Sequence, residues 1–248
     1  MNFDKEATEA LIEVLGELDE PPKVRLLARE SVLKWVRDDF VLASAAAELV
    51  EANTLSLRTP GEPFKNVLVV TEGAVVSVVP AGEYVAGLVT DNEEVVESVR
   101  KRWSGVWETA EEFGLRTPAR SRVEESLAAE FGSEVKSDFR TMLDVLGTTR
   151  GDGDSLDEVG VSLLVAAKHE ELLYDISKWG EDVGVASKAT FSRTKTRLEE
   201  MGLLDTSKVP IDIGRPRLRL LLGDERLRGV ATDDLAGVAQ SLVSTAQA

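Results

Sequence analysis

Residues 187–204 read SKATFSRTKTRLEEMGLL, and residues 215–220, a short way downstream, read RPRLRL. In the first stretch Phe191, Leu198 and Met201 are spaced seven and three residues apart, so one helix brings all three to a single packing face. Ser187 stands where a helix cap belongs, because its hydroxyl can accept from an unpaired N–H of the first turn. Burial of the three apolar residues turns Lys188, Thr190, Ser192, Arg193, Thr196 and Arg197 outward, with Lys195 flanking them, and together with Ser187 these are the candidate DNA-contacting residues of the helix. Gly202 suits the C-terminal end of the helix.

These outward residues are the types that a DNA duplex requires. Arg and Lys donate to phosphate or to guanine O6 and N7, while Ser and Thr hydroxyls reach either phosphates or base edges. The helix N-terminus adds unpaired N–H groups for a phosphate. Downstream, Gly214 and Pro216 mark a turn between two short strands, KVPIDI at 208–213 and LRLLL at 218–222. That hairpin carries Lys208, and it places Arg215 and Arg217 at or near its tip, within reach of a minor groove or a flanking phosphate. Arg219 alternates onto the face of Arg217, either as a further contact or as a strand-surface residue. From 187 to 219 eight bases stand against four acids, in a chain of formal net charge −16. Recurrence of the bases on two successive elements argues against chance clustering on a solvated helix.

Two helices are expected ahead of this pair. Ser155 and Glu158 fit a capping box, so a helix should start there and carry Val159, Leu163, Ala166 and Ala167 inward to about Lys168. A second should cover about 170–179 with Leu172, Leu173 and Ile176 inward, and Gly180 or Gly184 then allows the turn. A segment at 233–243 reads as an amphipathic helix that either returns to the core or contacts a second subunit.

The span 172–220, with its LEEMGLL helix end and its GRPRLRL hairpin, resembles the archaeal winged-helix transcription regulators. The whole chain, with an acidic N-terminal part and this C-terminal reader, resembles the haloarchaeal TbsP-type regulators. The resemblance implies a sequence-specific regulator of transcription that binds double-stranded DNA, with helix 187–201 in the major groove and wing 208–220 on flanking backbone or minor groove. It implies a regulatory or dimerising N-terminal domain and no catalytic residue. The alternative, a winged helix used as a protein-contact scaffold, calls for an acidic or apolar recognition face.

The expected fold class is α+β: an N-terminal α/β domain with a small, mainly antiparallel sheet, then a helical segment, then a C-terminal winged helix-turn-helix. Ala7, Leu11, Val14, Leu15 and Leu18 give a helix over 4–18, which Pro21 and Pro22 stop. An apolar run follows at 24–28, and helical patterning covers 31–52 with a break near Asp38 and Asp39. Between 54 and 90 the period falls to two, and TLSLR, NVLVVT, AVVSVV and EYVAGLV predict one antiparallel sheet. Turns are expected at Pro60-Gly61, Glu72-Gly73 and Pro80-Ala81-Gly82. Asn92 caps a helix over 93–113 whose apolar face would hold Val95, Val99, Trp103, Val106 or Trp107, and Ala110, with the tryptophans in the core or at a dimer contact. Helices at 121–131 and 133–146 meet at Gly132. The polar, glycine-rich GTTRGDGDS at 147–155 sets the expected domain boundary: 1–146 regulatory or dimerising, 147–154 linker, 155–248 reader. Its RGD triplet is treated as coincidence.

Acids outnumber bases 45 to 29, aromatics are only 5%, and Arg exceeds Lys, which resembles the composition of an extreme halophile. Cysteine is absent, so disulfides, thiolate nucleophiles and Cys-ligated zinc are excluded. The lone histidine, His169, lies between two helices of the reader, which removes Ser-His-Asp and multi-histidine arrangements. The glycine patterns GEP, TEG and PAGE match neither a P-loop nor GxGxxG. No enzyme activity, cofactor or metal is expected. The acidic start without an apolar signal region, and the lack of an apolar run long enough to span a bilayer, predict a cytoplasmic protein. The expected partners are double-stranded DNA, a second or further copy of the chain, and a small-molecule effector for the N-terminal domain.

Overall fold

The computed structural model describes residues 3–62, 67–81, 84–147, 156–211 and 216–246. The chain forms two compact units, Met1–Arg116 and Thr117–Ala248.

In the first unit, α1 (Lys5–Glu17) starts at Asp4, whose carboxylate accepts from the Ala7 N–H at 2.9 Å. After β1 (Val24–Leu27) come α2 (Glu30–Asp38) and α3 (Phe40–Glu51). The helix break expected near Asp38 and Asp39 is there: Asp39 caps α3 by accepting from the Leu42 N–H at 3.0 Å. Ala43 and Ala46 are fully buried on α3, and their small side chains let α1 and α2 pack closely around Ile12, Leu15, Leu33 and Val36.

The strands depart from the expected single sheet. β2 (Leu55–Thr59) runs parallel to β1, from Val24 opposite Leu55 to Leu27 opposite Arg58. A parallel neighbour needs a helical crossover, which α2 and α3 supply, and the buried Leu26 and Leu57 share the resulting core. β3 (Val67–Val70), β4 (Val75–Ala81) and β5 (Tyr84–Thr90) form a separate antiparallel sheet in that order. Its first turn is closed by Thr71, whose N–H donates to the Ala74 carbonyl at 2.9 Å.

Asn92 caps α4 (Glu93–Thr109) by accepting from the Val95 N–H at 3.2 Å. The helix stops four residues short of the expected Phe113, because Glu111 and Glu112 form β6 and pair with Thr59 and Arg58 of β2. Its one buried residue is Val96, while Val95, expected inside, is exposed. Trp107 is held by arginines: the Arg58 guanidinium lies 4.9 Å from its ring centroid and donates to its carbonyl at 2.6 Å, and Arg25 lies 5.7 Å away.

The second unit begins with α5 (Arg120–Phe131) and α6 (Ser133–Gly147), joined at Gly132 with φ +97°. Then follow α7 (Glu158–Lys168), α8 (Leu173–Val183), α9 (Lys188–Glu200), β7 (Leu204–Val209), β8 (Arg217–Leu222) and α10 (Thr232–Ala246). The division between units therefore precedes α5, not the glycine-rich stretch expected to mark it. The reason is packing: Trp179 of α8 donates to Ser126 of α5 at 3.0 Å and stands edge-on to Phe131 and Phe139, each at 6.4 Å. Asp138 of α6 accepts from Lys168 at 2.8 Å and Thr232 at 2.6 Å and meets His169 Nε2 at 2.7 Å, so it ties α6, α7 and α10 together.

Residues 148–155, with the RGD triplet and Ser155, lie outside the described residues. The cap of α7 is Asp157, which accepts from the Gly160 N–H at 2.7 Å, so the helix starts later than the capping-box reading had it. α10 returns to the core against α6 through Leu235, Ala236 and Ala239. β7 opens at Leu204, earlier than expected, and closes at Val209 because Pro210 has no N–H for a ladder.

Among the described residues Glu124 is the most enclosed carboxylate, with its side chain 4% exposed. Burial pushes its carboxyl up, but hydrogen bonds from Arg140 and Arg120 outweigh burial and hold it below the ordinary range. Asp138 is likewise pushed up by burial and brought lower on balance by Lys168, Thr232 and His169. Both groups therefore stabilise the fold above the unfolded carboxylate range of about pH 4. That contribution should be lost as pH falls through their depressed folded values, which an acid titration followed by circular dichroism checks. Glu124→Gln should lower stability at pH 7 by about 1–3 kcal/mol, less than for a fully enclosed pair because Arg140 is half exposed, and should flatten the acid limb.

Candidate nucleic-acid interface

α9 is built around one contact with α8. A Cβ on Gly180 would lie 2.3 Å from the Phe191 ring, so only glycine lets the two helices approach this closely. Gly184 ends α8 in the left-handed region at φ +91°, and the chain turns into α9 through Ser187, whose hydroxyl accepts from the Thr190 N–H at 3.2 Å. Phe191 and Leu198 are fully buried, and Thr194 is buried between them. Met201 is only half-buried at the helix end, and Leu203 fills the core position expected of it.

The opposite side of α9 is an unbroken exposed stripe: Lys188, Ala189, Ser192, Arg193, Thr196, Arg197 and Glu200. Five of the outward residues predicted from sequence are in it. Thr190 is half-buried, its hydroxyl 3.0 Å from that of Ser187. Lys195 turns sideways, its side chain 13% exposed, and pairs with Glu199 at 2.7 Å. Ala189 and Glu200 were missed, although their spacing from Arg193 and Thr196 along the helix places them on the stripe.

Most of the cations are matched by carboxylates. Lys188 pairs with Glu181 of α8 at 2.9 Å, and this hydrogen bond holds the Glu181 carboxyl below its usual range. Arg197 lies 3.6 Å from Asp157, the cap of α7. Arg193 has no ion-pair partner among the described residues, and neither has Lys208, which is exposed on β7. Only the Glu199 pairing carried a sequence signal, four residues beyond Lys195. The others join helices that the sequence does not place side by side.

The hairpin pairs from Leu204 opposite Leu222 to Val209 opposite Arg217. Glu171 and Leu172 extend it: the Leu220 N–H donates to the Glu171 carbonyl at 2.9 Å and Leu172 bridges to Arg219. Arg217 stands at the last pair before the tip, held against α8, with its guanidinium 4.4 Å from the Tyr174 ring and 3.3 Å from Asp175. Arg219 faces Glu170 at 3.6 Å and keeps a buried Nε without a hydrogen bond. Arg215 and Gly214 lie outside the described residues.

Three helices in the order scaffold, support and reader, closed by a β-hairpin, define a helix-turn-helix unit with a wing. The comparisons with known families go further. A model described as "Transcriptional regulator TbsP-like, N-terminal" matches residues 1–118, and one described as "Transcriptional regulator TbsP-like, C-terminal HTH domain" matches residues 119–240. Between them they take in nearly the whole chain, which belongs to the TbsP-like transcriptional regulators. The two matches meet close to the division between the structural units. No curated protein and no solved structure matches the chain. Among the described residues no helix is long and apolar enough to cross a membrane, and no group of three or more His, Asp or Glu is arranged to hold a metal ion.

The tight helix contact yields a prediction. Gly180→Ala should destabilise the second unit by about 1–3 kcal/mol, through forced movement of Phe191, and should weaken DNA binding with it. Urea unfolding followed by tryptophan fluorescence reads the first effect, since Trp179 adjoins the site.

Proposed function

We propose that the protein is a sequence-specific regulator that binds double-stranded DNA as a homo-oligomer. In this reading α9, over about 187–201, lies in the major groove, and the hairpin, over about 208–220, meets flanking backbone or a minor groove. The observation that carries it is the exposed stripe on α9, where Arg193 stands uncommitted between Ser192 and Thr196 on the face opposite Phe191. A planar guanidinium there suits bidentate donation to guanine, and the adjacent Ala189 leaves room for a base pair to approach. Lys208, on the hairpin, is placed for a phosphate.

The charge balance supports a protein made for concentrated salt. With a Debye length of about 3 Å at 1 M, long-range attraction between a basic patch and DNA is screened out. Close contacts then decide binding, and the carboxylates beside Lys188, Lys195 and Arg197 keep those cations ordered until phosphates replace them. A carboxylate released in the exchange takes up cations from solution, which offsets counterions released from DNA and makes the salt dependence shallow.

Fluorescence anisotropy with a duplex selected from a random library tests both points. Arg193→Ala should weaken binding about tenfold or more and relax preference at one base pair, whereas Lys208→Ala should weaken all sequences alike and reduce the salt slope by about one. Unchanged affinity in Arg193→Ala combined with Lys188→Ala would remove α9 from the groove. Glu181→Gln should tighten binding and steepen the salt slope, because no freed carboxylate then takes up cations to offset those that Lys188 displaces from the DNA.

A further inference from the structure

β5, Tyr84–Thr90, is an edge strand exposed on both faces. Tyr84 is 79% exposed, Val85 73%, Leu88 67% and Val89 66%. Tyr84 and Leu88 point to one side and Val85 and Val89 to the other, so neither face of the strand is covered. Its inner edge pairs with β4 along its full length, from Val75 opposite Thr90 to Ala81 opposite Tyr84, and its outer edge has no strand among the described residues. None of the usual protections of an edge is present: the run YVAGLVT has no charge, no proline and no break in its pairing. β3 and β4 also lack charged residues. Four large apolar residues in a run of seven are thus left in water, which is unusual for a monomer.

We infer that β5 is the surface through which two copies of this chain associate, edge to edge and antiparallel, joining their three-stranded sheets into one of six strands. Three observations select a second copy. An antiparallel edge is self-complementary about a twofold axis, and pairing YVAGLVT with itself about Gly87 sets Val85 against Val89, Ala86 against Leu88 and Tyr84 against Thr90. Val85, Ala86, Leu88 and Val89 then each meet another apolar side chain, and the Tyr84 ring lies beside Thr90. No residue of β3, β4 or β5 carries a charge in a chain of net −16, so the paired strands themselves set no like charges together, and acids oppose one another only beyond their ends, at Glu83 and Asp91, where salt screens them. Edge pairing satisfies the free backbone groups of β5 and gives its exposed apolar side chains apolar neighbours across the seam, and salt strengthens apolar contact while screening the remaining repulsion. This inference gives a surface to the homo-oligomer proposed above but does not depend on α9 touching DNA.

Sedimentation equilibrium of the full-length chain at high salt provides the test. The wild type should be a dimer at micromolar concentration. Leu88→Ser with Val89→Ser, and separately Val85→Lys with Leu88→Lys, should each weaken dimerisation about 100-fold or more with an unchanged circular dichroism spectrum. Both pairs sit on an exposed strand, so the fold is retained. A monomeric wild type, or variants that dimerise as tightly as wild type, would overturn the inference. So would a wild type that is monomeric but floats with phosphatidylglycerol vesicles through the same residues. Anisotropy at low salt with a short random-sequence duplex, which a monomer can bind, separates the two readings: variants that lose the dimer and keep this binding support β5 and leave the DNA reading intact. If the wild type dimerises and binds no duplex, the DNA reading fails and the role of β5 stands.

Discussion

The closeness of α8 and α9 governs the C-terminal unit. With Gly180 under the Phe191 ring, the support helix and the reader touch almost backbone to ring, and that contact sets the rotation of α9 about its own axis. Once Phe191, Thr194 and Leu198 face inward, the 3.6-residue period dictates which side chains face out. The stripe from Lys188 to Glu200 is thus a consequence of a missing Cβ on the neighbouring helix. A larger residue at 180 would tilt or turn α9, and the polar face would move with it.

The reader has a broader base than three helices and a hairpin. Trp179 donates its indole N–H to Ser126 of α5 and packs edge-on to Phe131 and Phe139, while Asp138 joins α6 to the ends of α7 and α10. Glu124, between Arg120 and Arg140, fastens α5 to α6. The N-terminal unit is built differently: β1, β2 and β6 form one small sheet, with α3 packed on β2, and β3, β4 and β5 form a second that buries little of itself.

What could be read from the sequence was what local periodicity and capping control. The helices at 5–17, 120–131 and 188–200, the break at Asp39 and the caps at Asn92 and Ser187 all follow from spacing and side-chain chemistry within a few residues. Long-range pairing was not legible. An alternating strand looks the same whether its neighbour is parallel or antiparallel, so β2 was grouped with the wrong sheet. The glycine-rich stretch suggested a boundary, yet the contacts of Trp179 and Asp138, each spanning distant segments, assign α5 and α6 to the reader. At the interface, the outward set followed from Phe191 and Leu198, while the carboxylates that meet Lys188, Arg197, Arg217 and Arg219 come from other elements and left no trace in the local pattern.

In the proposed DNA-bound state, those carboxylates bear on discrimination between a true site and the bulk of a genome. A bare cation gains from any phosphate it meets, in any register. A cation already matched by an acid gains only when the incoming phosphate is better placed than the carboxylate it displaces, so a loosely seated protein recovers little of what it gives up. Pairing of this kind lowers affinity for the many wrong sites more than for the few right ones, and so widens the ratio on which occupancy depends.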